Sequence, residues 1–227
     1  MGGILYIVST PIGNLGDITY RAVDILKNVD FCFCEDTSVT QRLFKEYEID
    51  TPTGVFYANS KIKDLNKIIN LLNEGKKVAL VTDAGTPTIS DPGFLLVETV
   101  YKELPDVKVV SIPGASALIS ALSISGVTSS QFTFYGFLPH KKGRETIFKQ
   151  IRDSKTTSVF YESVHRIEKT LESLFEFVDE RRTVVVAREL TKIYEEVVRG
   201  TSEEVKNYFL KKKDHIRGEF VVIVSGE

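Results

Sequence analysis

The sequence predicts an α/β protein of two domains, with a mostly parallel sheet in the N-terminal half and a mixed sheet in the C-terminal half. In the first half, short β-rich runs alternate with amphipathic segments, a pattern typical of a parallel sheet with helices on its faces. In the second half, two neighbouring strand-like runs lack a helix between them, which predicts a hairpin and antiparallel pairing. At 227 residues the chain is long enough for both domains.

The elements of the first half follow from these runs. The predicted strands are Ile4–Val8, Phe31–Cys34, Gly54–Phe56, Val78–Val81 and Val107–Ile112. The predicted helices are Thr19–Asn28, Thr40–Glu46, Lys61–Asn73 and Gly93–Glu103, and a further helix, Ala115–Ser125, leads out of this unit.

The second half contains strand and helix patterns in a different order. The predicted strands are Gln131–Tyr135, Ser158–Tyr161, Val184–Ala187, Glu195–Arg199 and Phe220–Val224. Helices are predicted at Arg144–Arg152, Arg166–Phe177 and Ser202–Leu210. We place the domain boundary after residue 114, which gives an N-terminal domain of residues 1–114 and a C-terminal domain of residues 115–227.

Composition narrows the function classes. The net charge of −2 argues against a broadly basic surface that binds nucleic acid without specificity. A basic cluster at Lys141, Lys142 and Arg144 is explained equally well as an RNA contact and as the solvated end of a helix. No apolar run approaches the roughly 20 residues of a membrane span, so we expect a cytoplasmic protein. Cys32 and Cys34 lie two apart on a strand and are expected to be buried, reduced thiols rather than metal ligands. No metal is predicted.

The most informative loop is Asp83–Gly93, which follows the predicted strand Val78–Val81. Its end suits a helix start, with Ser90 or Asp91 as the cap and Pro92 at the first helical position. The preceding small residues are more than a connection needs, and they lie where open α/β sheets bind ligands, beyond the carboxyl end of a strand. The loop lacks both the P-loop and the dinucleotide glycine patterns.

Other strand ends also carry unusual chemistry. Ser9–Asp17 is rich in glycine, and Ile112–Ala117 opens a helix with small residues that let a ligand approach the backbone. Glu35 and Asp36 close the second strand, where they are suited equally to proton transfer and to helix capping. In the second half, Tyr161–Arg166 and Arg188–Lys192 concentrate titratable side chains beside apolar runs.

Together these motifs resemble one family. In order they read Ser-Thr-Pro-Ile-Gly-Asn-Leu-Gly-Asp, Glu-Asp-Thr, Asp-Ala-Gly-Thr-Pro-x-Ile-Ser-Asp-Pro-Gly, Pro-Gly-Ala-Ser-Ala, Gly-Phe-Leu-Pro, Tyr-Glu-Ser-x-His-Arg and Arg-Glu-Leu-Thr-Lys. They are similar to the ribosomal RNA small-subunit methyltransferase I family of the tetrapyrrole methylase superfamily, whose two-domain fold defines the class III S-adenosylmethionine-dependent methyltransferases. The resemblance covers residues 3–226.

The resemblance implies 2′-O-methylation of the ribose of a cytidine in the decoding region of 16S rRNA, position 1402 in the usual bacterial numbering. The methyl donor would be S-adenosyl-L-methionine and the product S-adenosyl-L-homocysteine. The superfamily binds its cofactor in a cleft that the C-terminal domain closes, generally as a homodimer. The expected RNA partner is 16S rRNA in the 30S subunit, and no membrane is involved.

Site residues are implied where motifs match. The cofactor-binding residues expected from the resemblance are Pro11, Gly13, Ala84, Gly85, Thr86, Ile89, Ser116, Ala117, Tyr161 and Leu190. For catalysis we hypothesise that a carboxylate assists the ribose hydroxyl, with Glu35, Asp36 and Glu162 as the candidates. The expected substrate-binding residues are Arg42, His165, Arg166, Arg188 and Lys192. The family usually has an arginine after Glu-Asp-Thr; this chain has Ser38, and Arg42 one turn later is the candidate replacement.

Two rival functions remain open at this point. A tetrapyrrole C-methyltransferase would use the same cofactor and fold, although the Tyr-Glu-Ser-x-His-Arg and Arg-Glu-Leu-Thr-Lys motifs match the RNA-modifying branch. A noncatalytic adenosylmethionine-binding or ribosome-binding module is the rival of another class, because fold alone does not fix function.

Overall fold

A computed structural model describes residues 2–57, 62–90 and 93–227. It divides into two compact units, Met1–Ser116 and Ala117–Glu227. The first unit therefore ends two residues beyond the predicted boundary at 114. Among the described residues, no helix combines the length and apolar character of a membrane span.

The first unit contains a parallel sheet of five strands in the order β3-β2-β4-β1-β5. Its strands are β1 (Ile4–Val8), β2 (Phe31–Cys34), β3 (Thr53–Val55), β4 (Lys77–Leu80) and β5 (Lys108–Ile112). Its helices are α1 (Tyr20–Asn28), α2 (Thr37–Glu46), α3 (Ile62–Asn73) and α4 (Gly93–Glu103). The strands confirm the predicted alternation within one or two residues.

Both faces of this sheet are buried because successive apolar side chains along a strand point to opposite faces. On β4, Val78 and Leu80 pack on one face with residues of α3 and α4, whereas Ala79 faces the layer of α1 and α2. Cys32 and Cys34 share that second face, are fully buried and form no disulfide. Burial raises the pKa of both thiols, as expected for inert core cysteines.

Two differences in this unit have local causes. Helix α2 begins at Thr37 rather than at the predicted Thr40, because the Asp36 side chain accepts a hydrogen bond from Ser38 N (2.7 Å) and caps the helix. The predicted cap at Asp91, the proline at 92 and the helix start at Lys61 lie outside the described residues. Ser90 is described and has a positive φ of 65°.

The second unit contains a mixed sheet in the order β6-β7-β10-β8-β9. Its strands are β6 (Phe132–Phe137), β7 (Thr157–Ser163), β8 (Val184–Arg188), β9 (Glu196–Gly200) and β10 (Glu219–Val224), and its helices are α5 (Ala117–Ser125), α6 (Arg144–Arg152), α7 (Ile167–Phe177) and α8 (Ser202–Lys211). β6 and β7 are parallel, and the other neighbours are antiparallel. The predicted β8–β9 hairpin is confirmed.

Candidate active site

Three loops of the first unit meet at the carboxyl edge of its sheet because β4, β1 and β5 are neighbours there. Thr10 N donates to Gly85 O (2.9 Å) and Gly85 N donates to Thr10 O (3.1 Å), which joins the loops after β1 and β4. Thr86 Oγ1 lies 3.0 Å from Ser9 Oγ and donates to Ala115 O (3.1 Å), which adds the loop after β5. The three glycine-rich motifs therefore form one interlocked surface.

Glycines shape this surface in two ways. Gly85 has a φ of +91°, and an added Cβ would meet nothing closer than 3.5 Å, so its conformation rather than space requires glycine. At Gly114 the constraint is space, because an added Cβ would lie 2.9 Å from Ser9 Cβ. Gly114 therefore lets the loop after β5 pack against the loop after β1, and Gly85 sets the backbone conformation of the loop after β4.

The predicted cofactor residues of the first unit lie around these loops. Gly85 and Pro11 are buried, Thr86 and Ser116 are half-buried, and the rest are exposed, namely Gly13, Ala84 and Ile89. Exposed small residues beside buried loop anchors are the arrangement that a ligand-binding edge requires. Ala117 belongs to the second unit, where it begins α5.

Three carboxylates meet beside these loops, where β2 and β4 end next to each other. Thr82 Oγ1 donates to Glu35 Oε1, and Asp36 N donates to Asp83 Oδ1 (3.0 Å). None of the three carboxylates of Glu35, Asp36 and Asp83 forms an ion pair within the described parts of the chain. This end of the unit therefore concentrates negative charge without a paired cation.

The three carboxylates differ in what they can do. Hydrogen bonds from Ser38 to the capping side chain lower the pKa of Asp36, which makes Asp36 a weaker proton acceptor. We therefore assign Asp36 to helix capping rather than to proton transfer. Partial burial, together with the charges of Glu35 and Asp36, raises the pKa of Asp83. Glu35 is half-buried and has a carboxylate oxygen beyond the one that Thr82 engages.

Glu162, the third predicted catalytic carboxylate, lies in a different environment. Its side chain is fully buried and pairs with Arg144 Nη2 (2.9 Å) and Arg166 Nε (2.8 Å). Thr170 Oγ1 and Ser163 N also donate to it, at 2.7 and 2.8 Å. With both oxygens engaged, Glu162 is a structural counter-ion, and its expected role as a base is not supported by this geometry.

The predicted phosphate-binding arginines are also engaged within the second unit. Arg166 donates to Leu138 O (2.7 Å) besides its pair with Glu162, and Arg188 is 6% exposed and pairs with Glu196 (3.4 Å). Lys192 bridges Glu189 and Glu219 at 2.8 and 2.9 Å. These three cations are therefore engaged within the unit, and their expected role in binding the RNA backbone stays a prediction. His165, in contrast, is exposed.

Tyr161 and Leu190 also have defined surroundings in the second unit. Leu118 N donates to Tyr161 Oη (3.2 Å), which satisfies one of the free N–H groups at the start of α5. Burial raises the pKa of the Tyr161 hydroxyl. Leu190 is buried. Its chain neighbours Glu189 and Thr191 have φ values of 49° and 66°, which mark an unusual backbone turn.

The sequence interpretation missed two site features. In sequence, Asp83 is only the first residue of a glycine-rich loop. Its closeness to Glu35 follows from β2 and β4 being neighbours, which the order of motifs does not reveal. The sequence places Arg144 in one basic cluster with Lys141 and Lys142, but its guanidinium turns inward to Glu162, whereas the two lysines are exposed. Among the described residues there is no cluster of three potential metal ligands.

Comparison with known proteins agrees with this architecture. The family model for tetrapyrrole (corrin/porphyrin) methylases matches residues 4–206. The chain is 45% identical to ribosomal RNA small subunit methyltransferase I of Bacillus subtilis, over 99% of this chain and 75% of that protein. It is 44% identical to the protein of the same name from Thermotoga maritima, over 99% of both chains. The chain belongs to the ribosomal RNA small subunit methyltransferase I family, within the tetrapyrrole methylases.

Solved structures show the same fold at low sequence identity. The methyltransferase CobJ has a TM-score of 0.71 at 16% identity, with 100% of this chain and 95% of that chain covered. Cobalt precorrin-4 methyltransferase has a TM-score of 0.69 at 18% identity, with 98% and 94% covered. These likenesses confirm the predicted fold class, and the curated relatives confirm the family that the motifs indicate.

Proposed function

We propose that this methyltransferase transfers a methyl group from S-adenosylmethionine to the ribose 2′-hydroxyl of a cytidine in the decoding region of 16S rRNA. The observation that carries the proposal is 44–47% identity over nearly the whole chain to relatives named ribosomal RNA small subunit methyltransferase I. The interlocked loops after β1, β4 and β5 support it, because the motifs shared with that family lie on them.

The first unit offers suitable chemistry for the cofactor. Gly85 supplies the positive-φ backbone conformation of the loop after β4, and the exposed Ala84 and Ile89 provide small and apolar contact surface. S-adenosylmethionine, when bound, supplies an electrophilic methyl group on a sulfonium sulfur. The contribution expected from Ala117, Tyr161 and Leu190 remains a prediction.

We assign proton acceptance to Glu35. A protonated ribose hydroxyl is a poor nucleophile, so a hydrogen-bonding carboxylate at O2′ assists its attack. Bound S-adenosylmethionine would supply the methyl group to O2′ and leave as a neutral thioether, while Glu35 would accept the hydroxyl proton and release it to water. Thr82 holds the Glu35 side chain by its hydrogen bond, which orients the free oxygen.

RNA binding would use the cations that are not engaged within the protein. Arg42, Lys141 and Lys142 are exposed, and so is His165. With a net charge of −2, we expect recognition of a folded RNA shape in the 30S subunit rather than bulk electrostatic attraction. We propose that the protein acts in the cytoplasm as a homodimer, as the resemblance implies.

The proposal is tested by offering labelled S-adenosylmethionine with three acceptors in parallel: assembled 30S subunits, free 16S rRNA and a tetrapyrrole. We expect label in ribosomal RNA and none in the tetrapyrrole. Transfer to the tetrapyrrole alone would favour the C-methyltransferase alternative, and cofactor binding without transfer to any acceptor would favour a noncatalytic module.

A further inference from the structure

A small cavity of about 130 Å³ opens beside the carboxylates of the first unit. Its apolar wall comes from Pro11 and Leu15 in the loop after β1 and from Val39 and Leu43 on α2. Leu15 and Val39 keep 41% and 37% of their surface exposed, so apolar surface remains uncovered at its mouth. Of the lining residues, the proposed cofactor surface uses only Pro11.

Two side chains of opposite charge also line the cavity. Arg42 of α2 contributes a cation that forms no ion pair with the described residues, and Asp83 contributes a carboxylate. Asp83 Oδ1 accepts a hydrogen bond from Asp36 N (3.0 Å), and Oδ2 has no hydrogen-bond partner among the described residues. One fixed acceptor and one multiple donor therefore border the same apolar space.

The fold holds these walls in place. Tyr47 Oη donates to Leu15 O (2.7 Å), which ties the loop after β1 to the end of α2. Thr10 Oγ1 donates to Thr82 O (3.0 Å), which fixes the backbone directly before Asp83. The cavity is thus preorganised, a property that reduces the free-energy cost of ordering a site on binding.

Its volume selects the size of the occupant. A cavity of about 150 Å³ accommodates one benzene molecule, whereas pockets for whole drug-sized ligands begin at about 300 Å³. A volume of about 130 Å³ therefore suits one planar six-membered ring rather than a complete nucleoside or the cofactor.

We propose that this cavity binds the cytosine ring of the target nucleotide, turned out of its RNA stack, with Asp83 and Arg42 reading its Watson–Crick edge. The assignment rests on the proposed function. Asp83 accepts a hydrogen bond from the exocyclic N4 amino group, a pairing in which carboxylates recognise cytosine, and Arg42 donates to the ring acceptors N3 and O2. The apolar walls contact the faces of the ring, as in other enzymes that extrude a base.

Discrimination against uracil follows from the same contacts. Uracil presents O4 where cytosine has its amino group, so the Asp83 carboxylate would face another acceptor. It also carries a proton on N3, opposite the Arg42 donor. An asparagine at position 83 can donate to O4, so this one change exchanges the preferred hydrogen-bond partner while keeping the side chain's size.

The test uses the full-length protein and 30S subunits reconstituted with 16S rRNA that carries either cytidine or uridine at the target position. Single-turnover methylation at saturating cofactor is compared for wild type, Asp83→Asn and Arg42→Ala. Lys45→Ala is the matched control because it removes another exposed cation of α2 outside the cavity. Cofactor affinity and thermal melting of each variant are measured alongside.

We expect wild type to prefer cytidine by at least tenfold, in line with about 1–3 kcal/mol for a good base contact. Asp83→Asn should bring this ratio close to one or reverse it, and Arg42→Ala should slow transfer to cytidine at least tenfold, both with unchanged cofactor affinity. Lys45→Ala should behave as wild type. An unchanged ratio in Asp83→Asn, with wild type active on cytidine, would overturn the cavity assignment alone; no transfer by wild type to either RNA would overturn the proposed function as well.

Discussion

The carboxylates of the two units differ in the way their charge is compensated. Glu162, in the second unit, is fully buried between two arginines. Glu35 and Asp83, in the first unit, lie partly open to solvent and form no ion pair with the described residues. Burial of a charge demands a partner, so the first arrangement is built for stability. The second leaves acceptors and negative charge available for a ligand.

The contrast separates two kinds of charged motif that look alike in sequence. Glu35-Asp36 directly follows the buried strand β2, and Glu162 lies near the end of the buried strand β7. Only their packing differs, because α6 and α7 surround Glu162 with cations whereas the loops around Glu35 supply none. The contrast predicts that changes at Glu162 alter stability first and changes at Glu35 alter rate first.

The largest expected effect is the loss of stability on Glu162→Gln. Removing its charge leaves Arg144 and Arg166 uncompensated in a largely buried site, and breaking such a pair costs about 3–5 kcal/mol. The free energy of unfolding is measured by urea denaturation followed by circular dichroism. Glu168→Gln, an exposed change on α7, is the control and should remain within about 0.5 kcal/mol of wild type. Equal stability of the two variants would contradict the structural role of Glu162.

The next largest expected effect is a decrease in the rate of methylation on Glu35→Gln. Loss of a positioned base typically slows a reaction by about 10²–10⁴-fold, so we expect at least a hundredfold decrease in single-turnover methylation with a near-native melting temperature. Glu46→Gln, an exposed glutamate at the end of α2, is the matched control. A near-native rate in Glu35→Gln would remove Glu35 from the mechanism.

A smaller effect is expected on cofactor affinity with Gly85→Ala. A side chain at positive φ costs about 1–2 kcal/mol, and relief of that strain would move the loop that we assign to the cofactor. Gly143→Ala has a similar φ of +86° in open space at the start of α6, which makes it a control for strain alone. Equilibrium dialysis with S-adenosylmethionine should show at least tenfold weaker binding for Gly85→Ala only. Equal affinities would refute the loop assignment.

The smallest effect concerns the dependence of stability on pH at Asp83. Because its pKa is raised in the folded state from an ordinary value of 3.8, folding is opposed once the carboxyl ionises, and stability falls as pH rises through that raised pKa. Asp83→Asn keeps the acceptor for Asp36 N and removes the ionising group, so it should raise the melting temperature at pH 7. The gain should shrink as pH falls towards 4. Asp50→Asn, an exposed change, should show no such gain. Equal melting temperatures of both variants and wild type at pH 7 would contradict the role of the raised Asp83 pKa.

Much of the fold could be predicted from sequence because local patterns determine it. The apolar runs at Ile4–Val8 and Phe31–Cys34 become strands with the predicted bounds, and loops at the ends of parallel strands share one edge of the sheet. The start of α2 was misplaced by three residues because a single capping aspartate, rather than hydrophobic periodicity, sets it.

The chemistry of the candidate site is harder to predict from the sequence than the fold is. Placing Asp83 beside Glu35 requires the strand order β2-β4, and the pairing of Glu162 with Arg144 joins positions 18 residues apart through the packing of α6 on β7. Such contacts are tertiary, so residue type and motif alone do not reveal that Glu162 and Arg188 are buried and ion-paired.

Nucleoside analysis tests most directly whether this protein methylates a ribose hydroxyl of ribosomal RNA. Unmethylated 30S subunits are incubated with the protein and labelled S-adenosylmethionine, and the 16S rRNA is digested and separated by liquid chromatography with mass spectrometry. We expect the label to appear as 2′-O-methylcytidine from the decoding region. Label on a base atom, on another nucleoside, or nowhere in the RNA would contradict it.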